Sequence, residues 1–148
     1  LWMSRFLLLR IAEAYKVKVD FHPKPMGVEE DWNGSGMHTN FSTMAMRENG
    51  GKDLFERICE KLSESHQHAI LEYGSDNEQR LTGKHETQSI DKFSWGISDR
   101  GASIRIPLST SQTWKGYLED RRPGSNADPY RITAYLSSVL GEVEKEEA

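Results

Sequence analysis

The chain has 148 residues, which is the size of one domain and enough to bury a hydrophobic core. Its formal net charge of −4 argues against a general nucleic-acid binder, although arginines can still cluster against a small anion. The longest apolar run, 6–9, ends at Arg10, so the sequence predicts neither a membrane span nor a cleavable signal. The single cysteine, Cys59, excludes an internal disulfide, and the protein is expected to be soluble and intracellular.

The first predicted element is a helix from Leu1 to about Tyr15, either amphipathic or fully buried. It starts without a capping residue or an initiator methionine, which indicates a chain cut in mid-domain. Alternating apolar residues over 17–22 predict a strand that ends at Pro23. An exposed loop over 26–31 follows it.

The segment DWNGSGMHTN (31–40) predicts a second strand with a polar face. In extended backbone His38, Asn40 and Ser42 point to one side, where they can line a site. The alternative is a strand that only leaves an Asn-Gly turn, with His38 hydrogen-bonded to a nearby carboxylate or carbonyl. The segment alone leaves both interpretations open.

A long helix is predicted from about Asp53 to Tyr73, because apolar residues repeat there at helical spacing. Cys59 lies on the apolar face of this helix and is expected to be buried there. The protein is expected to reside in a reducing compartment. His66 and His68 have charged neighbours and lack the i, i+4 spacing of metal ligands. Both histidines are therefore expected to be solvated.

Residues 74–88 are polar and long for a loop inside a compact domain, and they are predicted to form a mobile lid. Two short strands follow, in ASIRIPL (102–108) and GYLEDRR (116–122). Alternation places Arg105 on the polar face of the first strand, and Glu119 with Arg121 on that of the second. Half-buried charges need ionic partners or a ligand, so either a salt-bridge network over 119–122 or a binding site is expected.

The final helix is predicted from its N-terminal signals, with Asp128 as the cap and Pro129 in the first turn. Its apolar stripe consists of Ile132, Tyr135, Leu136, Val139, Leu140 and Val143. Together the elements predict an α+β domain, an antiparallel sheet with flanking helices.

The polar groups outside this scaffold suit polyanion chemistry. His38 and Glu119 are candidate ligands for Mg²⁺ or Mn²⁺, which prefer oxygen ligands and tolerate an imidazole. Arginine stays charged when partly buried, and its planar fork matches phosphate and carboxylate. The candidate anion donors are Arg80, Arg100, Arg105 and Arg121. These residues predict an enzyme that handles ATP, most naturally by phosphoryl transfer.

Four motifs occur in an order and at intervals that resemble the C-terminal catalytic region of glutamine synthetase of the eukaryotic-like type. They are HPKPMGVEEDWNGSGMHTNFST (22–43), GSDNEQRLTGKHET (74–87), RGASIRIP (100–107) and GYLEDRRPGSNADPY (116–130). The resemblance extends from Leu1 to about Leu140. It implies that 1–148 is the C-terminal part of a catalytic domain with the guanidino-kinase-like glutamine synthetase fold, incomplete at its N-terminus and without the family's N-terminal β-grasp domain.

The resemblance implies a glutamate–ammonia ligase in the full-length protein, with the isolated chain inactive. ATP phosphorylates the γ-carboxylate of glutamate, and ammonia then displaces phosphate. The implied partners are glutamate, ATP, ammonium, Mg²⁺ or Mn²⁺, and further copies in stacked rings, a decamer or dodecamer, in the cytoplasm or alternatively a plastid. No nucleic acid or membrane is expected. The alternatives are a non-catalytic homologue or inactive fragment with a structural or binding role, and a γ-glutamyl ligase for another amine.

By the same resemblance each candidate residue has a role. The glutamate ligands are Asn33, Gly34, Arg80 and Arg121. The ATP contacts are His38, Asn40, Ser42, Arg100 and Arg105, and the metal ligands are His38 and Glu119. The catalytic set is Glu86, Arg80 and Arg100, with Glu86 as the flap glutamate that closes over the site.

Three positions depart from the family pattern. The segment 26–30 is longer and more acidic than usual, Asp99 stands where asparagine is common, and Leu108 stands where a basic residue is common. Asp99 is expected to pair with Arg100 and weaken its hold on phosphate.

Overall fold

The computed structural model describes residues 1–29 and 31–146. The helices are α1 Trp2–Tyr15, α2 Met44–Glu48, α3 Lys52–Glu64, α4 His66–Glu72, α5 Leu108–Thr113 and α6 Pro129–Glu146. The strands are β1 Thr39–Phe41, β2 Trp95–Ile97, β3 Ile104–Ile106 and β4 Leu118–Asp120. The α+β class predicted from the sequence is confirmed.

The sheet has the strand order β1-β4-β3-β2. Strand β4 is antiparallel to both β1 and β3, whereas β2 is parallel to β3. The prediction of an antiparallel sheet is therefore wrong for β2. Alternation shows which residues share a face but not which way a strand runs.

The core lies between the sheet and helices α3, α4 and α6. The predicted apolar stripe of α6 is buried, and the Asp128 carboxylate caps this helix by accepting from the backbone N–H of Tyr130 at 2.9 Å. Cys59 is fully buried as predicted, and burial raises the pKa of its thiol to about 12.

The predicted long helix over 53–73 is two helices that meet at Ser65. The Ser65 hydroxyl lies 2.9 Å from the carbonyl of Lys61 and 2.6 Å from the hydroxyl of Tyr135. Side-chain bonds of this kind compete with the helical backbone and favour a break. His66 lies four residues after Leu62 and three before Ala69, both fully buried, so it continues the apolar stripe across the break. It is 6% exposed, so its predicted solvation is wrong. His68 is exposed, as predicted.

Helix α1 forms where the sequence predicts it, but the described structure buries only two of its residues, Arg5 and Ala12. Its apolar side chains remain 47–67% exposed: Leu1, Trp2, Met3, Phe6, Leu7, Leu8, Leu9 and Ile11. The strand predicted over 17–22 is wrong, since this segment is irregular and pairs with no described strand. No helix within 1–29 and 31–146 has the length and apolarity needed to cross a membrane.

Residues 74–81 are anchored by a 3-10 turn at Asn77–Gln79 that buries Asn77, Arg80 and Leu81. The lid predicted over 74–88 therefore has buried side chains that anchor its first half. Residues 82–89 follow this anchored part, and we call them the flap loop. A β-bridge between Thr82 and Ser89 closes the base of the flap loop.

Candidate active site

The candidate site is built on one row of residues across the sheet. Asn40 on β1 lies opposite Glu119 on β4, and Glu119 lies opposite Arg105 on β3. Residues opposite one another in paired strands project to the same face. Alternation along β4 then places Arg121 beside Glu119 on that face, as the sequence predicts.

The Glu119 carboxylate and the His38 imidazole form the centre of the site. Oε1 of Glu119 lies 3.0 Å from Nδ1 of His38. Burial lowers the pKa of His38, and the guanidiniums of Arg121 and Arg80 lower it further. Burial tends to raise the pKa of Glu119, but the hydrogen bond from Arg105 and the charge of Arg121 outweigh it and leave that pKa lowered. At neutral pH the imidazole is therefore neutral and the carboxylate ionised.

Two arginines contact the same carboxylate. Arg105 donates from Nη1 to Oε2 of Glu119 at 2.8 Å, and Arg121 donates from Nη1 to Oε1 at 3.2 Å. The Nε atoms of both arginines are buried and make no hydrogen bond to any described residue. Buried donors are normally satisfied, so these two Nε atoms are exceptions within the site.

Arg80 lies deeper than the sequence implied, with 4% of its surface exposed. It donates from Nη2 to the Arg121 carbonyl at 2.7 Å and from Nη1 to the Arg122 carbonyl at 3.1 Å. Nη2 also lies 3.3 Å from Nε2 of His38. Burial, together with the charge of Arg121, lowers the pKa of Arg80 to about 10.

Glycines make room for this arginine. A Cβ built on Gly34 would lie 2.4 Å from Cγ of Arg80, and one on Gly36 would lie 2.4 Å from its Nη2. The backbone of this segment is held beside the end of β4, because Met37 donates to the carbonyl of Pro123 at 2.9 Å. The glycines after Asn33 thus serve close backbone approach as well as the turn.

The remaining predicted residues surround this centre. Glu86 is in the flap loop, where its carbonyl accepts from Nη2 of Arg121 at 3.2 Å. Its carboxylate lies 3.7 Å from the exposed guanidinium of Arg100. Asn33 and Asn40 are exposed. The Ser42 hydroxyl already accepts from Arg47 at 2.7 Å, an arginine that the sequence analysis did not single out.

The pairing predicted between Asp99 and Arg100 is replaced by other contacts. Oδ1 of Asp99 accepts from the backbone N–H of Gly101 at 2.8 Å and thereby closes a turn. The ion pair of Arg100 is with Glu86.

His38 and Glu119 are suited to hold a divalent cation as a pair. The carboxylate is ionised and the imidazole is neutral, so each side chain has a lone pair with which to bind a metal. No group of three or more histidine, cysteine or acidic side chains within 1–29 and 31–146 could hold a metal ion. Six-coordinate Mg²⁺ or Mn²⁺ would thus take only two ligands from these residues.

The sequence left a salt-bridge network over 119–122 and a binding site as alternatives, and the structure contains an ion pair on the opposite face of β4. Asp120 and Arg122 are buried there, with Nη2 of Arg122 2.7 Å from Oδ2 of Asp120. The same strand therefore carries a salt-bridge network on its inner face and the candidate site on its outer face. Alternation over 119–122 was the signal that could have separated them.

The sequence of the chain is similar to that of known proteins. No protein-family model matches the chain. It is 58% identical over 136 residues to the glutamine synthetase of Fusarium solani subsp. phaseoli, a match over 92% of the chain and 38% of that protein. The Schizosaccharomyces pombe glutamine synthetase is 54% identical over 142 residues, 96% of the chain and 39% of that protein. The chain is homologous to part of glutamine synthetase.

A third relative, the Tuber borchii glutamine synthetase, is 56% identical over 95% of the chain and 38% of its own length. The resemblance inferred from the four motifs is confirmed by these matches. The chain spans about 38% of the length of the glutamine synthetases it matches, in their C-terminal part.

Proposed function

We propose that the full-length protein containing this chain is a glutamine synthetase, which ligates ammonia to glutamate through γ-glutamyl phosphate at the expense of ATP. The observation that carries the proposal is the carboxylate of Glu119, which is contacted at 3.0 Å by His38 and at 2.8 Å by Arg105 on one face of the sheet. Homology to enzymes of this name supports it.

The arginines supply the electrostatic part of the mechanism. Phosphoryl transfer spreads negative charge over three oxygens, and fixed positive groups that face this charge lower the barrier. Arg105 and Arg121 lie next to the cation-binding pair and each keeps an unpaired Nε. Arg105 would contact the phosphates of ATP, and Arg121 the carboxylate of glutamate. Arg80, which lies against His38, would act on the same glutamate and phosphoryl group.

His38 and Glu119 would hold Mg²⁺ or Mn²⁺, which when bound neutralises phosphate charge. The ionised Glu119 provides the charge, and the neutral His38 accepts the cation without losing a proton. Asn40 and Ser42, which follow His38 along β1, would contact the nucleotide. Other ligands of a six-coordinate ion must come from substrate, water or residues outside this chain.

The flap loop would cover the reacting groups. A γ-glutamyl phosphate exposed to water hydrolyses, so the site must exclude water until ammonia attacks. Glu86 lies in this loop and Arg121 holds its backbone carbonyl over the site. Its carboxylate would favour ammonium nearby, and Arg100, its ionic partner, would turn to the phosphates on closure. Asn33 and Gly34 would hold the amino group of glutamate.

The domain assignment follows as part of the proposal. Residues 1–148 would form the C-terminal part of a catalytic domain with the guanidino-kinase-like fold, in a ring decamer or dodecamer of the cytoplasm or a plastid. The exposed apolar face of α1 supports a longer protein in which another segment covers it, since a patch of this kind marks an interaction surface.

The test is an assay of the full-length protein with ATP, Mg²⁺, ammonium and glutamate labelled with ¹⁸O in its γ-carboxylate. Glutamine and phosphate should form together, and the phosphate should carry one ¹⁸O atom per turnover, because the acyl phosphate passes its bridging oxygen to phosphate. Phosphate without ¹⁸O would refute the acyl-phosphate route. Turnover with methylamine but not with ammonium would indicate a different γ-glutamyl ligase, and no turnover with either amine would indicate a non-catalytic homologue.

A further inference from the structure

A buried polar network lies directly behind the candidate site. Asp120 accepts from the hydroxyl of Tyr73 at 2.6 Å and from Nε and Nη2 of Arg122 at 2.9 and 2.7 Å. The Arg122 guanidinium also lies over the rings of Tyr73 and Phe93, 5.2 and 5.1 Å from their centroids. Arg122 is 1% exposed, so its orientation is set entirely by these neighbours.

His66 completes this network with both of its ring nitrogens. Nδ1 lies 3.1 Å from Nη1 of Arg122, and Nε2 lies 2.8 Å from the carbonyl of Ile90. A guanidinium can only donate and a carbonyl can only accept, so Nδ1 is the acceptor and Nε2 carries the proton. The ring is therefore a neutral imidazole in one defined tautomer. Its edge-on contact with Phe93, at 5.6 Å between centroids, further fixes its position.

The first partner of His66 connects it to the substrate-facing arginines. Arg122 stands next to Arg121, and its backbone carbonyl accepts from Nη1 of Arg80 at 3.1 Å and from Asn77 at 2.7 Å. A displaced Arg122 would move the carbonyls that hold Arg80. It would also change the end of β4 from which Arg121 projects.

The second partner connects it to the flap loop. Ile90 follows the flap loop directly, and its backbone N–H donates to the carbonyl of Leu81 at 2.9 Å. This bond stands beside the Thr82–Ser89 bridge that closes the base of the loop. One imidazole thus joins the root of the flap loop to the strand that carries Glu119 and Arg121.

We propose that His66 is a positioning residue that sets the relative placement of the flap loop and the Arg80–Arg121 pair, and thereby the affinity for glutamate. The inference rests on the proposed function, because it assigns those arginines to glutamate. On the nucleotide side, the side chain of Arg105 on β3 bonds to Glu119, on the face of β4 opposite to Asp120. A residue that served packing alone would lower stability without favouring one substrate over the other.

Protonation of His66 should break the connection between Arg122 and the carbonyl of Ile90. The charged groups that face it are Arg122, Asp120 and Asp91. Burial lowers the pKa of His66, and the positive charge of Arg122 lowers it further, so the neutral form holds at neutral pH. A proton on Nδ1 removes the acceptor from Arg122 and places two cations together.

The test uses three variants of the full-length protein. His66→Phe keeps a ring but removes both hydrogen bonds, His66→Asn keeps an acceptor near the position of Nδ1, and His68→Phe is the control on the exposed face of the same helix. We expect His66→Phe to raise the KM for glutamate about tenfold with the KM for ATP within about twofold, the size of one hydrogen bond to a charged group. His66→Asn should restore most of the loss, and His68→Phe should match the parent.

Two measurements test the proposal without an activity assay. Long-range ¹H–¹⁵N NMR should show His66 as the Nε2–H tautomer at pH 7. Hydrogen exchange of the Ile90 amide, which bonds to Leu81 at the root of the flap loop, should be faster in His66→Phe than in His66→Asn. Equal changes in both KM values, unchanged exchange at Ile90 in a folded His66→Phe, or the other tautomer would each overturn the proposal. If the parent makes no glutamine, the proposed function fails, while NMR and exchange still decide the role of His66.

Discussion

Arg105 and Glu119 face each other across the β3–β4 pair, with Nη1 of Arg105 2.8 Å from Oε2 of Glu119. The two charged groups lie on the same face as His38, which lies 3.0 Å from the other carboxylate oxygen. The pair is thus more than a surface salt bridge. Arg105 holds one oxygen of Glu119, while the other lies against both His38 and Arg121.

Replacement of Glu119 by glutamine should keep the fold and abolish most activity. The two side chains are nearly isosteric, but glutamine lacks the charge for the cation and for the two arginines. We expect glutamine formation by the full-length protein to fall about 100-fold or more. The matched control is Glu60→Gln, the same change on the exposed face of α3. Turnover equal to the parent in Glu119→Gln would make Glu119 a structural ion-pair residue only.

Metal binding should depend on more than this chain. Because His38 and Glu119 are two ligands of a six-coordinate ion, Mn²⁺ titrated into the isolated chain should bind weakly, with a dissociation constant in the range of about millimolar. The full-length protein should bind more tightly, and His38→Ala should weaken that binding. Calorimetry is the measurement. Tight binding of several ions by the chain alone would show ligands that we have not identified.

The flap loop should respond to phosphate charge. Arg80 and Leu81 are buried and their amides should already exchange slowly in the free full-length protein. Residues 83–88 contain two consecutive left-handed residues, His85 at φ 53° and Glu86 at φ 58°, and should exchange rapidly. We expect protection of 83–88 only with ATP and a phosphorylated glutamate analogue. Slow exchange in the free protein would make Glu86 a structural residue.

The buried ion pair between Asp120 and Arg122 should contribute strongly to the free energy of unfolding. Arg122→Met leaves the Asp120 carboxylate without its main partner in a fully buried position. Breaking such a pair costs about 3–5 kcal/mol, measurable by urea unfolding. Arg131→Met, which removes an exposed arginine paired with Glu72, is the control and should cost far less. Similar losses in both variants would contradict this role.

Stability should also fall in mild acid. Burial lowers the pKa of His66 in the folded state, so between that pKa and the unfolded value near 6.5 the unfolded chain binds more protons. The free energy of unfolding must therefore decrease as the pH falls through 6.5. His66→Asn should flatten this dependence in urea unfolding at pH 5–7.5. An unchanged slope would assign the acid sensitivity to other groups.

Cys59 should be inert in the native protein. Burial raises its pKa to about 12, so almost no thiolate exists at pH 8 and reagents cannot reach the sulfur. A thiol reagent such as dithionitrobenzoate should modify it only at the rate of unfolding. Rapid modification of a folded sample would contradict the burial.

Local sequence patterns were sufficient to predict helices α1 and α6 and the alternation of side chains along β4. The stripe of α6 has a 3.6-residue period, and its cap and proline mark the start, so little beyond neighbouring residues was needed. Likewise Glu119 and Arg121 share a face because the pleat alternates with period two. The motifs that contain them were long enough to indicate glutamine synthetase, which homology confirms.

What depends on distant residues was decided only by the tertiary structure. The hydroxyl of Ser65, where α3 ends, lies 2.6 Å from that of Tyr135, seventy positions away in sequence. His66 can be buried because Arg122 and Ile90 supply hydrogen-bond partners for its ring. Arg80 is buried because carbonyls at the end of β4 satisfy its donors, a relation that no local pattern encodes. The parallel pairing of β2 with β3 is likewise a relation between two strands that alternation within each strand does not specify. Periodicity records which side of an element is apolar, whereas long-range hydrogen bonds decide where a polar side chain can be buried.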